Sequence, residues 1–100
     1  MENVFAEIGS EINSHYPGEE KILKPKRSAF VFITTETDDG HLTLEDLKKI
    51  AEVKEVYLSR GAYDLVAKVS GESFDHLREI VHTRIGRLSN IKSTLTLTVI

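Results

Sequence analysis

The chain has one hundred residues, 40% hydrophobic and 29% charged, the proportions of one ordinary globular domain. It has no cysteine, which excludes disulfides, thiol nucleophiles and cysteine-ligated metals and is compatible with a reducing cytoplasm. The net charge is -3 at pH 7, and neither Met1–Arg27 (five acidic, four basic residues) nor Ser28–Ile100 (eleven and nine) has the positive balance of a nucleic-acid binding domain.

The start, MENVFAEIGSEI, lacks a basic segment ahead of an apolar one, and no apolar run approaches the ~20 residues of a spanning helix. A soluble, cytoplasmic chain is expected, with no membrane partner. Val4, Ile8 and Ile12 stand four apart beside Phe5, which predicts a short helix over 3–15. HYPGEE then stops it, because Pro17 disfavours helical geometry at Tyr16 and Gly18 permits a turn. Lys21, Lys24, Lys26 and Arg27, broken by Pro25, read as a solvated linker, so 1–27 form an arm ahead of a domain at 28–100.

AFVFITTE (29–36) is β-branched and aromatic, with Ala29, Val31 and Ile33 on one alternating set and Phe30 and Phe32 on the other. Both faces of that strand should be buried. TDDGH is a turn signal, after which Thr43 is placed to cap a helix running to about Glu52 with Leu44, Leu47, Ile50 and Ala51 inward. VKEVYLS and AYDLVAKV are two strands joined at Arg60 and Gly61, as a hairpin or a bulged bend. Ser70 or Ser73 caps a second helix whose core stripe is Phe74, Leu77, Ile80, Val81, Ile85 and Leu88. STLTLTVI closes as a strand with Leu95, Leu97 and Val99 opposite Thr94, Thr96 and Thr98.

The fold class is therefore α+β: a ferredoxin-like βαββαβ unit with a four-stranded antiparallel sheet, preceded by a short helix. Right-handed crossovers put both helices on one sheet face. The bare face should pack on a second copy, as in dimeric α+β barrel assemblies, with Phe30, Val31, Phe32 and Ile33 as its interface.

Gly61, Tyr63 and Asp64 in a Gly-x-Tyr-Asp junction, apolar Leu65, Val66 and Val69 behind it, and Thr94 and Thr96 near the end resemble the effector-binding (RAM) domain of the Lrp/AsnC family over Ala29–Ile100. The resemblance implies dimers through facing sheets, rings of dimers, and small amino-acid ligands in clefts between dimers. Full-length members carry a helix-turn-helix domain ahead of this region. The 27 preceding residues suffice for one short helix, so a stand-alone module working beside a DNA-binding relative is expected. The family often has Gly-Val before its last strand; Asn90 and Ile91 stand here, and asparagine tolerates left-handed geometry.

Such a zwitterionic ligand needs an acceptor for its ammonium and donors for its carboxylate. Asp64 supplies the first; the backbone at Gly61 and Ala62, with Arg60, supplies the second. Tyr63 or Tyr57 walls the cleft, and Ser93, Thr94 and Thr96 offer hydroxyls. Alternatives stay open: Gly61 as a turn residue, Asp64 paired with Lys68 or Arg60 or bonded to nearby backbone N–H groups, and the threonines as strand filling. Tyr63 and Asp64, adjacent in a regular strand, would point to opposite faces.

His76 and His82 are six apart and fail the i, i+4 geometry of a helical metal pair, so neither a metal site nor a cofactor is expected. No phosphate loop or nucleophile elbow is present, and no catalytic residue is assigned. The competing readings are a small α+β barrel enzyme of monooxygenase or isomerase type, and a purely structural oligomerisation partner.

Overall fold

Arg27–Thr35 is the central strand, and its alternating side chains divide the domain into a packed face and an open face. The computed structural model describes residues 2–8, 26–37 and 40–99. In chain order the elements are β1 (Glu2–Ile8), β2 (Arg27–Thr35), α1 (Gly40–Lys48), β3 (Val53–Leu58), β4 (Leu65–Gly71), α2 (Phe74–Glu79, continued by a π-helical stretch, Ile80–Ile85) and β5 (Ile91–Val99). They form one five-stranded sheet in the order β1-β5-β2-β4-β3. The four strands from β2 onward are antiparallel neighbours, and the fold is α+β, ferredoxin-like.

The fifth strand corrects the expected helix at 3–15. Residues 2–8 pair parallel with β5, from Glu2 beside Ser93 to Ile8 beside Val99. The stripe at Val4 and Ile8 suits a helix, but Val4 and Ala6 also alternate with Phe5 at period two, and β5 offers an edge whose N–H and C=O groups need partners. A short helix alone is marginal, whereas each added ladder residue here is supported by the sheet. Residues 9–15, the HYPGEE stop, and Lys21 and Lys24 lie outside the described residues.

Register decides which face each residue takes. Ala29, Val31 and Ile33 oppose Val69, Ala67 and Leu65 on β4 and Thr98, Thr96 and Thr94 on β5. All nine are buried, under Leu47 of α1 and Leu77, Ile80, Val81 and Ile85 of the second helix. The threonines of β5 thus line the core, and Leu95, Leu97 and Val99 join Phe30, Phe32 and Val66 on the open face. Val31 and Ile33 are 0% exposed, so the expected interface is corrected: they face the helices, and of the four residues only Phe30 and Phe32 face outward.

Three local readings change with tertiary context. Helix α1 begins at Gly40, so Thr43 is not its cap; it is buried in the first turn, where its Oγ1 accepts from Asn90 Nδ2 at 3.3 Å. The helix ends at Lys48, short of Glu52, because Ile50 and Val53 enter tight turns that start β3. The junction of β3 and β4 is a longer loop, Ser59–Asp64, not a two-residue bend.

Helix α2 keeps its expected cap, Ser73 Oγ accepting from His76 N at 3.0 Å. Gly71 precedes it for a steric reason: a Cβ there would lie 3.1 Å from Leu77 Cδ2. The helix then widens, Gly86 N donating to Val81 O five residues back at 2.7 Å. A wider turn offsets the drift of about 40° that a four-residue spacing accumulates on a 3.6-residue helix, keeping Leu77, Val81 and Ile85 in line over the sheet. Asn90 adopts φ 74°, the left-handed geometry that asparagine tolerates, and starts β5. No helix among the described residues is long and apolar enough to cross a membrane.

Two core substitutions test this packing in opposite directions. Leu77→Ala should lose about 2–5 kcal/mol in urea unfolding, the usual cost of a Leu truncation in a closed core. Thr96 is 0% exposed and its Oγ1 has no hydrogen-bond partner among the described residues. Thr96→Val removes that orphan hydroxyl at nearly constant shape and should gain about 1 kcal/mol, raising the thermal midpoint by several degrees.

Candidate functional site

The loop SRGAYD between β3 and β4 is organised by one carboxylate. Backbone pairing of β2 with β4 ends at Ile33 and Leu65, and the β2–β5 register shifts between Thr34 and Thr35. This leaves Thr35 N without a β4 partner. Asp64 takes over the ladder: its N donates to Ile33 O at 2.8 Å, and its Oδ2 accepts from Thr35 N at 2.8 Å. Ser59 N donates to Asp64 O at 2.9 Å, closing the loop. The Thr35 hydroxyl has one proton for two acceptors, Asp64 Oδ2 at 3.1 Å and the Thr37 carbonyl at 2.6 Å. A side chain that reaches back to a backbone N–H and a hydroxyl in this way must be short and rich in acceptors, which is why aspartate suits the position.

Gly61 sits at the outer bend with φ 114°, and nothing lies within 4 Å of where a Cβ would stand. Its glycine is required by backbone conformation, not by crowding. Tyr63 and Asp64 leave the regular strand and diverge. The Tyr63 ring meets Phe32 on the open sheet face, centroids 5.4 Å apart and tilted by 52°. Asp64 instead lines a cavity of about 310 Å³ with Gly40, His41, Leu58, Ser59 and Arg60.

Of the residues expected at a ligand site, the structure brings Arg60 and Asp64 to one cavity. Gly61, Ala62 and Tyr63 belong to the same loop but do not line it. Ser93, Thr94 and Thr96 lie elsewhere, on β5, with β2 between them and β4. Thr94 and Thr96 are buried, so their placement on the ligand cleft is corrected: they fill the core, and Thr94 holds β1 by donating from Oγ1 to Asn3 Oδ1. Ser93 pairs in register with Thr34, away from the cavity. Gly40 and His41 are additions that sequence reasoning missed, because the DDGH stretch carried only a turn signal. Thr35, the partner of Asp64, was equally invisible, lying 29 positions away. Among the described residues no three His, Asp or Glu side chains converge as metal ligands.

On the open face, Tyr57 donates from its hydroxyl to Glu55 Oε1, and Glu55 Oε2 lies 3.9 Å from Lys68 Nζ. The hydrogen bond to Glu55, and then the carboxylate's charge, raise the Tyr57 pKa above the ordinary phenol value. What this pair contributes to the fold is present below the ordinary phenol pKa of about 10 and is lost as pH rises through the folded value.

Two measurements follow. Asp64→Ala strands the Thr35 N–H and should cost about 1–3 kcal/mol in urea unfolding, while Asp64→Asn, which keeps an acceptor, should cost clearly less. In an ultraviolet titration one tyrosine should ionise above the ordinary range, and Glu55→Gln should bring it down; an unchanged titration curve would contradict the pairing.

Residues 28–100 match the family model described as the Lrp/AsnC ligand binding domain. Among solved structures, Escherichia coli AsnC is similar at TM-score 0.74 and 28% identity, covering 89% of this chain and 60% of that one. A protein of Thermus thermophilus is 32% identical at TM-score 0.68, covering 72% of this chain and 90% of that one. A transcriptional regulator of Neisseria meningitidis, solved as a complex with L-Met, shares the fold at TM-score 0.68 and 13% identity, covering 88% of this chain and 57% of that one. The chain thus spans about 60% of the length of the AsnC protein it resembles. A comparison with curated proteins found no match. With the family model covering the whole βαββαβ unit and its Gly-x-Tyr-Asp loop, the chain belongs to the Lrp/AsnC family through its ligand-binding domain.

Proposed function

We propose that the chain is a non-enzymatic regulatory module that binds a small amino acid at the Ser59–Asp64 loop. One observation carries the reading: a carboxylate and a guanidinium, Asp64 and Arg60, line the same cavity of about 310 Å³. They are the acceptor and the donor that an ammonium and a carboxylate on one ligand require. Asp64 commits Oδ2 to Thr35, and no described residue bonds its Oδ1, which remains for the ligand. Leu58, 45% exposed at the rim, offers apolar surface for the ligand side chain. The Neisseria meningitidis regulator solved with L-Met supports this ligand class.

Assembly belongs to the same proposal. The open face carries Phe30, Phe32 and Leu97 together with the exposed Val4 and Tyr57, an apolar surface that a second copy would cover. Facing sheets give a homodimer, and ring-like association of dimers would bring a neighbouring subunit over the half-open cavity. Residues 28–100 form the ligand-binding domain and residues 1–27 its arm. The module passes ligand occupancy on to a DNA-binding domain of the family.

A thermal-shift panel of the common amino acids tests the ligand. A true ligand at a hundred times its dissociation constant adds about 2.7 kcal/mol, several degrees for a domain of this size, and Arg60→Gln should reduce that shift. If no amino acid moves the midpoint, the reading fails. Light scattering behind size exclusion tests the assembly: the wild type should run as a dimer or larger, and Phe30→Glu as a folded monomer by circular dichroism. A monomeric wild type at micromolar concentration would overturn the face-to-face dimer.

A further inference from the structure

A second concavity lies at the other end of the sheet order, between β1 and the start of α2. It measures about 270 Å³ and is lined by Phe5, Ala6, Phe74, Asp75, Arg78 and Thr98, none of them shared with the Ser59–Asp64 loop. Two phenyl rings wall it, and each holds a guanidinium on its face. Arg78 Cζ lies 5.3 Å from the Phe5 centroid, and Arg27 Cζ lies 4.7 Å from that of Phe74.

Two charged side chains of opposite sign flank this concavity. Asp75 and Arg78 stand three apart on α2, a spacing at which an acid and a base commonly close on each other. Here they do not: Arg78 is drawn over Phe5, and neither residue forms an ion pair with a described residue. A guanidinium stacked on a ring uses its face and keeps its N–H edge for a carboxylate. Phe5 is held in place by the β1 ladder, and Thr98 Oγ1 donates to Ala6 O at 3.1 Å beside it. A cation and an anion thus stand unpaired at one concavity, walled by two rings and lined about equally by polar and apolar surface.

We propose that this slot is a second ligand site, for an α-amino acid with an apolar side chain. The N–H edge of Arg78 takes the α-carboxylate, Asp75 takes the ammonium, and the side chain lies between Phe5 and Phe74. A carboxylate without an amine would meet the Asp75 charge, and an amine without a carboxylate would meet Arg78; only a ligand carrying both satisfies both. The volume, about 270 Å³, is close to the ~300 Å³ at which small-molecule pockets begin. Because β1 forms one wall and α2 the other, the ligand would also fasten the N-terminal strand to the domain. The site stands independently of the loop cavity.

Amide chemical-shift mapping on the full chain tests this, with L-phenylalanine as probe and 3-phenylpropanoate and phenethylamine as analogues missing one charge each. L-phenylalanine should give saturable shifts at the Ala6, Asp75 and Thr98 amides, with both analogues much weaker. Arg78→Gln should raise the dissociation constant read at those amides about tenfold, the loss of one charge-assisted contact, while any response at Ser59–Asp64 stays as in the wild type. Absence of shifts at those three amides into the millimolar range, analogues that bind as well as L-phenylalanine, or an Arg78→Gln variant with unchanged affinity would each overturn the site. Shifts confined to Ser59–Asp64 would do so too, and would leave the loop reading standing.

Discussion

The whole arrangement hangs on the double pairing of β2. A strand hydrogen-bonded on both edges cannot rotate or slip without moving every side chain to the other face, so its alternation is imposed on β4 and β5. Ala29, Val31 and Ile33 then set a row of small and branched residues against which the two helices close. The same constraint leaves Phe30 and Phe32 outward, with the leucines of β5 beside them. One register thus produces both the core and the open apolar face.

The strand pair β2–β4 runs out at the Ser59–Asp64 loop, and the Asp64 carboxylate replaces the missing strand partner of Thr35. Asp64 thus holds the fold with Oδ2, while no described residue bonds Oδ1. This explains why a carboxylate and a glycine stand together in an otherwise strand-like stretch. Gly61 supplies the left-handed bend, Asp64 stitches the loop back to β2, and Tyr63 anchors it to the open face through Phe32. The loop is positioned from three directions, and a site built on it is correspondingly pre-organised.

The N-terminal strand adds a second theme. It extends the sheet past β5 and brings Phe5 under Arg78, so a segment outside the βαββαβ unit takes part in packing α2. Its parallel pairing also covers an edge that would otherwise present free N–H and C=O groups. The contact that docks the strand also sets Arg78 over the Phe5 ring, and Arg78 forms no ion pair with a described residue.

Local pattern was enough for the βαββαβ order and the core stripe Leu77, Ile80, Val81 and Ile85, and it narrowed the cap of α2 to Ser70 or Ser73, because each is encoded within a few neighbouring residues. The Gly-x-Tyr-Asp motif likewise marked a bend, which the structure places at Gly61. Partners far along the chain were not legible. Whether Thr94 and Thr96 face a cleft or the core depends on the register of β5 against β2, and threonine suits either environment. That Asp64 answers Thr35, that His41 joins Arg60 at one cavity, and that residues 2–8 form a strand are all set by a neighbouring element, not by local spacing. The sequence by itself determined the elements of the βαββαβ unit and their order; the tertiary structure alone decided faces, edges and the company each charge keeps, because a strand's side and an edge's partner exist only once another strand has been laid beside it.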